Sequence, residues 1–158
     1  MHELKESVLE IIHSNQYLTI ASCDSTGKAW ASTVAYVVDE DYNFYWASLP
    51  SSRHQQNILN NPNISFAIFD SHQNWGEGNG LQIEATVSKV PFKNYPSVTY
   101  LYFNRKYPYG QASGKFGQGL RSLLSGKVYR FYKAIPKKVW IPDPNAEVDA
   151  RIETKIVE

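Results

Sequence analysis

Sulfur is scarce in this chain. One cysteine, Cys23, and one methionine occur in 158 residues. A lone cysteine excludes an intramolecular disulfide and leaves too few thiolates for a metal cage. Lying in an apolar run, Cys23 reads as a small buried residue. The four histidines, His2, His13, His54 and His72, show no metal-ligand spacing with one another or with carboxylates. No apolar run is long enough to span a bilayer, and no signal-like apolar stretch opens the chain. A soluble, cytoplasmic protein is the expectation. Charge of either sign is never concentrated, and the net charge is only +1. That removes the electrostatic footprint of a nucleic-acid or anionic-membrane partner. Lys127, Arg130, Lys133, Lys137 and Lys138 interleave with aromatic and apolar residues, as on a solvated sheet face. There is no βαβ alternation, which counts against a dinucleotide-binding doubly wound fold.

What the chain does have is aromatic residues, with 11 Tyr, 7 Phe and 4 Trp. Flat rings in this number suit a subunit interface or a planar ligand, and rigid β-sheet packing also uses them. The stretch from Phe44 to Asp70 organises the rest. Phe44–Ser48 alternates as a strand, Leu49-Pro50-Ser51-Ser52 opens a short helix, and Asn61-Pro62 stops it. A second alternating run, Asn63–Asp70, follows. Ser51 or Ser52 is placed to accept from the first-turn N–H groups, beside Arg53 and His54. Two readings stand at this point: an anion site for phosphate, or an ordinary N-cap with surface bases.

The remaining elements read as a meander. His2–Ser14 places Leu4, Val8, Leu9, Ile11 and Ile12 on one helical face, with Asn15 as its stop. Tyr17–Cys23 and Ala29–Val38 are strands joined by the turn Asp24-Ser25-Thr26-Gly27-Lys28. Asp39-Glu40-Asp41 turns the chain into the Phe44 strand. Leu81–Val90 alternates again and ends at Pro91. Tyr95–Arg105 is helical or mixed, Lys106–Gly119 a glycine- and tyrosine-rich loop, and Leu120–Leu124 at best a short helix. Lys127–Ile141 forms a long final strand system with Pro136 at a bend or edge, and Arg151–Val157 one last strand. Residues 1–158 therefore form one domain, mainly β with few helices: a small antiparallel barrel. The glycine loop Gly110–Phe116 is out of register for a P-loop and lacks its Ser/Thr, and Gly114–Gly119 follows no clear strand. No Gly-x-Ser-x-Gly elbow occurs, so no side chain stands out as catalytic.

Taken together, Phe44-Tyr45-Trp46, Ser52-Arg53-His54, Asn57-Ile58, Asn61-Pro62, Ile68-Phe69-Asp70 and Leu81-Gln82-Ile83-Glu84 resemble the pyridoxamine 5′-phosphate oxidase-like family of FMN-binding split barrels. The order of elements agrees as far as the Gln82 strand; beyond it the likeness is faint. The resemblance implies a Greek-key-like split β-barrel and a homodimer with FMN in a cleft between protomers. It implies that Ser52 and Arg53 bind the phosphate, with His54 where the family often has lysine. Ala31, Ser32, Thr33 and Val34 would lie along the flavin ring through backbone groups, and Trp46 and Ala47 on the ribityl side. Gln82 would bond the ring or ribityl chain, and Trp140 and Arg151 would reach the cleft from the C-terminal region. Histidine at 54 implies a phosphate affinity that weakens as pH rises. The oxidase itself carries an Arg-x-His pair near its C-terminus, which Pro142–Arg151 lacks, and Ala31 replaces a phosphate-side arginine. The implied protein is thus a relative acting on another small molecule, an FMN-dependent oxidoreductase. Alternatives are another cofactor on the same barrel, deazaflavin or haem with His54 or His72 as ligand, or a non-enzymatic flavin-binding or interaction protein.

Overall fold

The computed structural model describes residues 2–76, 78–105, 129–146 and 150–156. Helix α1 (His2–Ser14) lays Val8, Ile11 and Ile12 into the core, with Leu4 and Leu9 partly buried beside them. Asn15 ends it by donating its side-chain amide to the Ile11 carbonyl at 2.9 Å. The strands follow as β1 (Tyr17–Cys23), β2 (Ala29–Ala35), β3 (Val37–Val38) and β4 (Phe44–Ser48). Helix α2 (Arg53–Asn60), β5 (Asn63–Phe69) and β6 (Gly80–Lys89) come next. A 3-10 turn (Phe92–Asn94), α3 (Tyr95–Asn104), β7 (Arg130–Pro142) and β8 (Arg151–Thr154) complete the described chain. The expectations for Lys106–Gly119, Leu120–Leu124 and Lys127 fall outside the described residues. No described helix is long and apolar enough to cross a membrane.

Among the described residues every strand pairing is antiparallel, in one eight-stranded sheet of order β2-β1-β5-β6-β7-β4-β3 with β8 added to β7. β2 and β3 stand at opposite ends of that order, yet only Tyr36 separates them in the chain. One residue spans under about 4 Å. The sheet must therefore curl until its two edges nearly meet, and the result is the half-barrel of a mainly β split-barrel fold. The single strand expected over Ala29–Val38 is thus two strands, broken where the chain crosses the seam. Tyr36 is fully buried there, its hydroxyl donating to the Ile12 carbonyl at 2.7 Å. Burial pushes its phenol up to about 12. The Arg105 guanidinium lies 4.6 Å over the Tyr36 ring and donates to the carbonyls of Tyr36, Ile12 and Asn15.

Alternation decides which residues fill the barrel. Leu18, Ile20, Phe44, Trp46, Phe66, Ile68, Leu81 and Ile83 point inward with Val8 and Ile12. On the outer face, α3 packs Tyr95 and Val98 against Val37, Tyr45 and Phe131. That helix covers one end of the sheet. Over β2, β1, β5 and β6 the outward positions Thr19, Ala21, Ala31, Thr33, Ser65, Gln82 and Glu84 are exposed. Pro136 sits at a register shift, where Ala85 faces Pro136 and Glu84 faces Lys138, so Lys137 is the extra residue of a bulge. A residue without an N–H fits that place. Cys23, expected to be buried, is only half-buried at the end of β1.

Candidate functional site

Helix α2 begins and ends where local chemistry requires. Asn61, forced toward extended backbone by Pro62, closes it at φ −140°, ψ 102°. At the other end Ser52 is the N-cap, but its hydroxyl makes no capping bond, contrary to expectation. Its carbonyl instead accepts from the Gln55 and Gln56 N–H groups at 3.0 Å each. The Ser52 hydroxyl lies 3.3 Å from Nε2 of His54, and the Ser48 hydroxyl 2.8 Å from the same nitrogen. His54 is thus a buried residue facing two serines, not an exposed base beside the helix end. Burial holds its pKa below the ordinary imidazole value. The expected weakening of phosphate affinity with rising pH, argued from His54, loses its structural basis.

Arg53 points the other way, into solvent. Its guanidinium carbon stacks 4.2 Å from the centre of the Trp30 ring, and the Trp30 indole N–H donates to Ser32 Oγ at 2.9 Å. Stacking of this kind restrains an exposed arginine without neutralising it. The β1–β2 turn closes the group. The Asp24 carboxylate accepts from the Thr26 hydroxyl and from the N–H groups of Thr26 and Lys28. Those bonds, the Thr26 hydroxyl first, hold the Asp24 carboxyl below its usual range. Gly27, at φ 84°, makes the turn possible. An exposed guanidinium, the Ser52 hydroxyl, which also lies 3.3 Å from His54 Nε2, and the positive end of an eight-residue helix meet here.

Along β2 the expected residues divide by face. Ala31 and Thr33 are exposed on the outer face, opposite Ala21 and Thr19, whereas Ser32 and Val34 are half-buried on the other side. Two shallow hollows of about 430 and 480 Å³ lie on the outer face and share Ala21, Ser65 and Glu84. Gln82 and Trp140 face each other across β6 and β7 and line the first; Lys137 of the bulge lines the second. A larger groove of about 630 Å³ beside Glu3, Ser7 and Pro142 contains none of the expected residues. Trp46 is fully buried and stacked on Tyr132, its centroid 6.2 Å away, so its side chain belongs to the core, beside half-buried Ala47. Arg151 donates to the Gly80 carbonyl at 2.8 Å.

Apart from Trp46, Ala47 and His54, the expected residues fall into two groups. Ser52, Arg53 and the β2 residues stand at one edge of the sheet, near the β1–β2 turn. Gln82, Trp140 and Arg151 stand on β6, β7 and β8, running to the far end of the strands. Three strand spacings, about 14 Å, separate β2 from β6. Trp30 and Ser48 escaped sequence reading. Trp30 shares a β2 face with Ser32 and was legible by period two. Ser48 acts through a tertiary contact that no local pattern announces.

A family model described as pyridoxamine 5′-phosphate oxidase matches residues 4–128. Among curated proteins no sequence match was found. Solved structures with the same fold include a haem-binding protein from Mycobacterium smegmatis, at 13% identity and TM-score 0.73, covering 95% of this chain and 57% of that one. ChuZ from Campylobacter jejuni gives 14% identity and TM-score 0.79, over 98% of this chain and 60% of that one. The haem storage protein HutZ from Vibrio cholerae gives 16% and 0.65, over 87% and 94%. This chain thus spans less than two thirds of two of these relatives and nearly all of the third. At such identities the likeness shows the fold alone.

Proposed function

The chain belongs to the pyridoxamine 5′-phosphate oxidase-like family, and from that premise we propose that it is an FMN-binding homodimer performing flavin-dependent redox chemistry. The observation that carries the reading is the anion-ready end of α2. There the Ser52 hydroxyl makes no capping bond to a helix N–H and the Arg53 guanidinium is held outward over Trp30. The donor set fits a phosphate monoester: a charge-assisted guanidinium contact, a hydroxyl and the helix N-terminus. Ala31 and Thr33 leave a low floor along β2 for a flat ring. Bound flavin supplies the electron-transfer chemistry; the chain binds it, orients it and limits water.

The separation of the two residue groups supports the two-protomer part of this reading. A single cofactor held at Arg53 reaches Gln82, Trp140 and Arg151 most simply when these come from a second copy across the bare outer face. Haem is the second reading, favoured by the names of the structural neighbours. Of the two histidines considered as ligands, His54 is buried against Ser48, whereas His72 is exposed with Nδ1 2.9 Å from the Asp70 carboxylate. A carboxylate partner of that kind orients metal-binding imidazoles. The absorption spectrum of the purified protein, and of protein mixed with FMN or with haemin, separates the readings. Flavin bands retained through gel filtration support the first; a Soret band perturbed by His72→Ala overturns it in favour of the second.

A further inference from the structure

Trp30 of β2 is held at three points. Its carbonyl accepts from the Ser22 hydroxyl at 3.4 Å, and Ser22 Oγ in turn accepts from the Asn57 amide of α2 at 3.1 Å. Ser22 and Asn57 are both buried, so this link from strand to helix is sheltered from water. The indole N–H donates to Ser32 Oγ at 2.9 Å. The ring face carries the Arg53 guanidinium at 4.2 Å. At 41% exposure the ring gains only part of what full burial would give it. Its anchored position instead fixes the two polar groups it touches.

The bond to Ser32 can run only one way. An indole nitrogen donates and never accepts, so Ser32 Oγ is the acceptor and its own proton is directed elsewhere. No described residue takes that proton. Arg53 likewise has no hydrogen bond or ion pair among the described residues. The Asp24 carboxylate, which feels its charge, is bonded instead to Thr26 and Lys28. Two donors, one cationic and one neutral, thus stand against a single indole, and the chain supplies an acceptor for neither. A phosphate monoester carries several acceptor oxygens on one atom, which suits donors set this close together.

We propose that Trp30 is a positioning residue for the phosphate: its ring face aims Arg53, and its indole N–H leaves the Ser32 hydroxyl free to donate to a second phosphate oxygen. Ser32 then binds through its side chain as well as its backbone. The inference rests on the phosphate reading above. Its test titrates FMN and riboflavin into native protein, Trp30→Leu, Trp30→Phe and Ser32→Ala, with Trp30→Leu repeated in the Arg53→Ala background. Trp30→Leu weakens FMN binding about two- to fivefold, the size of an exposed cation–π contact, and leaves riboflavin nearly unchanged. Trp30→Phe, which keeps a ring face, recovers most of that loss. In Arg53→Ala the same Trp30→Leu change costs FMN little more, because the group it aimed is gone. Ser32→Ala leaves the tryptophan in place and weakens FMN about tenfold, with riboflavin again the control. Losses that fall equally on riboflavin, or that persist undiminished in Arg53→Ala, mark a merely structural role for Trp30 and overturn the inference. Unchanged FMN affinity in Ser32→Ala overturns it too, while a native preference for FMN leaves the phosphate reading standing. Native protein that binds FMN no tighter than riboflavin overturns both.

Discussion

His54 turns its ring toward Ser48 and Ser52 and away from solvent, which reverses the pH behaviour of an exposed base. Burial holds its native pKa below about 6.5, the ordinary value that the unfolded chain retains. The unfolded state therefore binds more protons between the two values. Stability from this group is complete above about pH 6.5 and is lost as pH falls through that point toward the native pKa. Urea midpoints measured from pH 8 to 5 are expected to fall, and to fall less steeply in His54→Gln. A midpoint that rises on acidification contradicts the buried, neutral ring. By the same argument FMN affinity does not decline through neutral pH on account of His54. Arg53 carries the charge alone, so Arg53→Ala is expected to weaken FMN binding by about 1.5–3 kcal/mol, or one to two decades. Riboflavin, which lacks the phosphate, serves as the control and is expected to change little. The cluster Ser52-Arg53-His54 was legible as a set of donors. The direction of His54 was not, since Ser48 lies across a turn on β4.

Element boundaries were the clearest part of the sequence. Asn15 and Asn61-Pro62 stop α1 and α2 where their chemistry says, because the Asn15 amide takes an orphan carbonyl and Pro62 excludes helical backbone at Asn61. The break at Tyr36 was hidden, because Ala35-Tyr36-Val37 has strand composition throughout. Only sheet closure, a long-range event, tells it apart from a continuous strand. The seam depends on Arg105, whose guanidinium donates to carbonyls of Tyr36, Ile12 and Asn15. Arg105→Ala leaves those carbonyls without their charged donor, and a loss of about 1.5–3 kcal/mol is expected in urea unfolding. Tyr36→Phe removes one neutral bond and is expected to cost about 0.5–1.5 kcal/mol. An unchanged midpoint in Arg105→Ala contradicts the role assigned to the seam.

At the scale of the whole molecule, the curled sheet covers its outer face at one end with α3 and leaves the other end bare among the described residues. The order of elements made the family legible, since strand, short helix and Gln82 strand follow one another in the chain itself. The division of the site did not show in the sequence. Strand order puts β2, whose Trp30 carries Arg53, three spacings or about 14 Å from the Gln82 strand, and no local pattern shows it. The central claim is that this end of the barrel holds FMN by its phosphate at Ser52 and Arg53. Titrating cofactor-free protein with FMN and with riboflavin, followed by flavin fluorescence, tests it most directly. FMN binding at least about tenfold tighter than riboflavin in the native protein, with the gap closing in Arg53→Ala, is the predicted result. Equal affinity for the two flavins contradicts it.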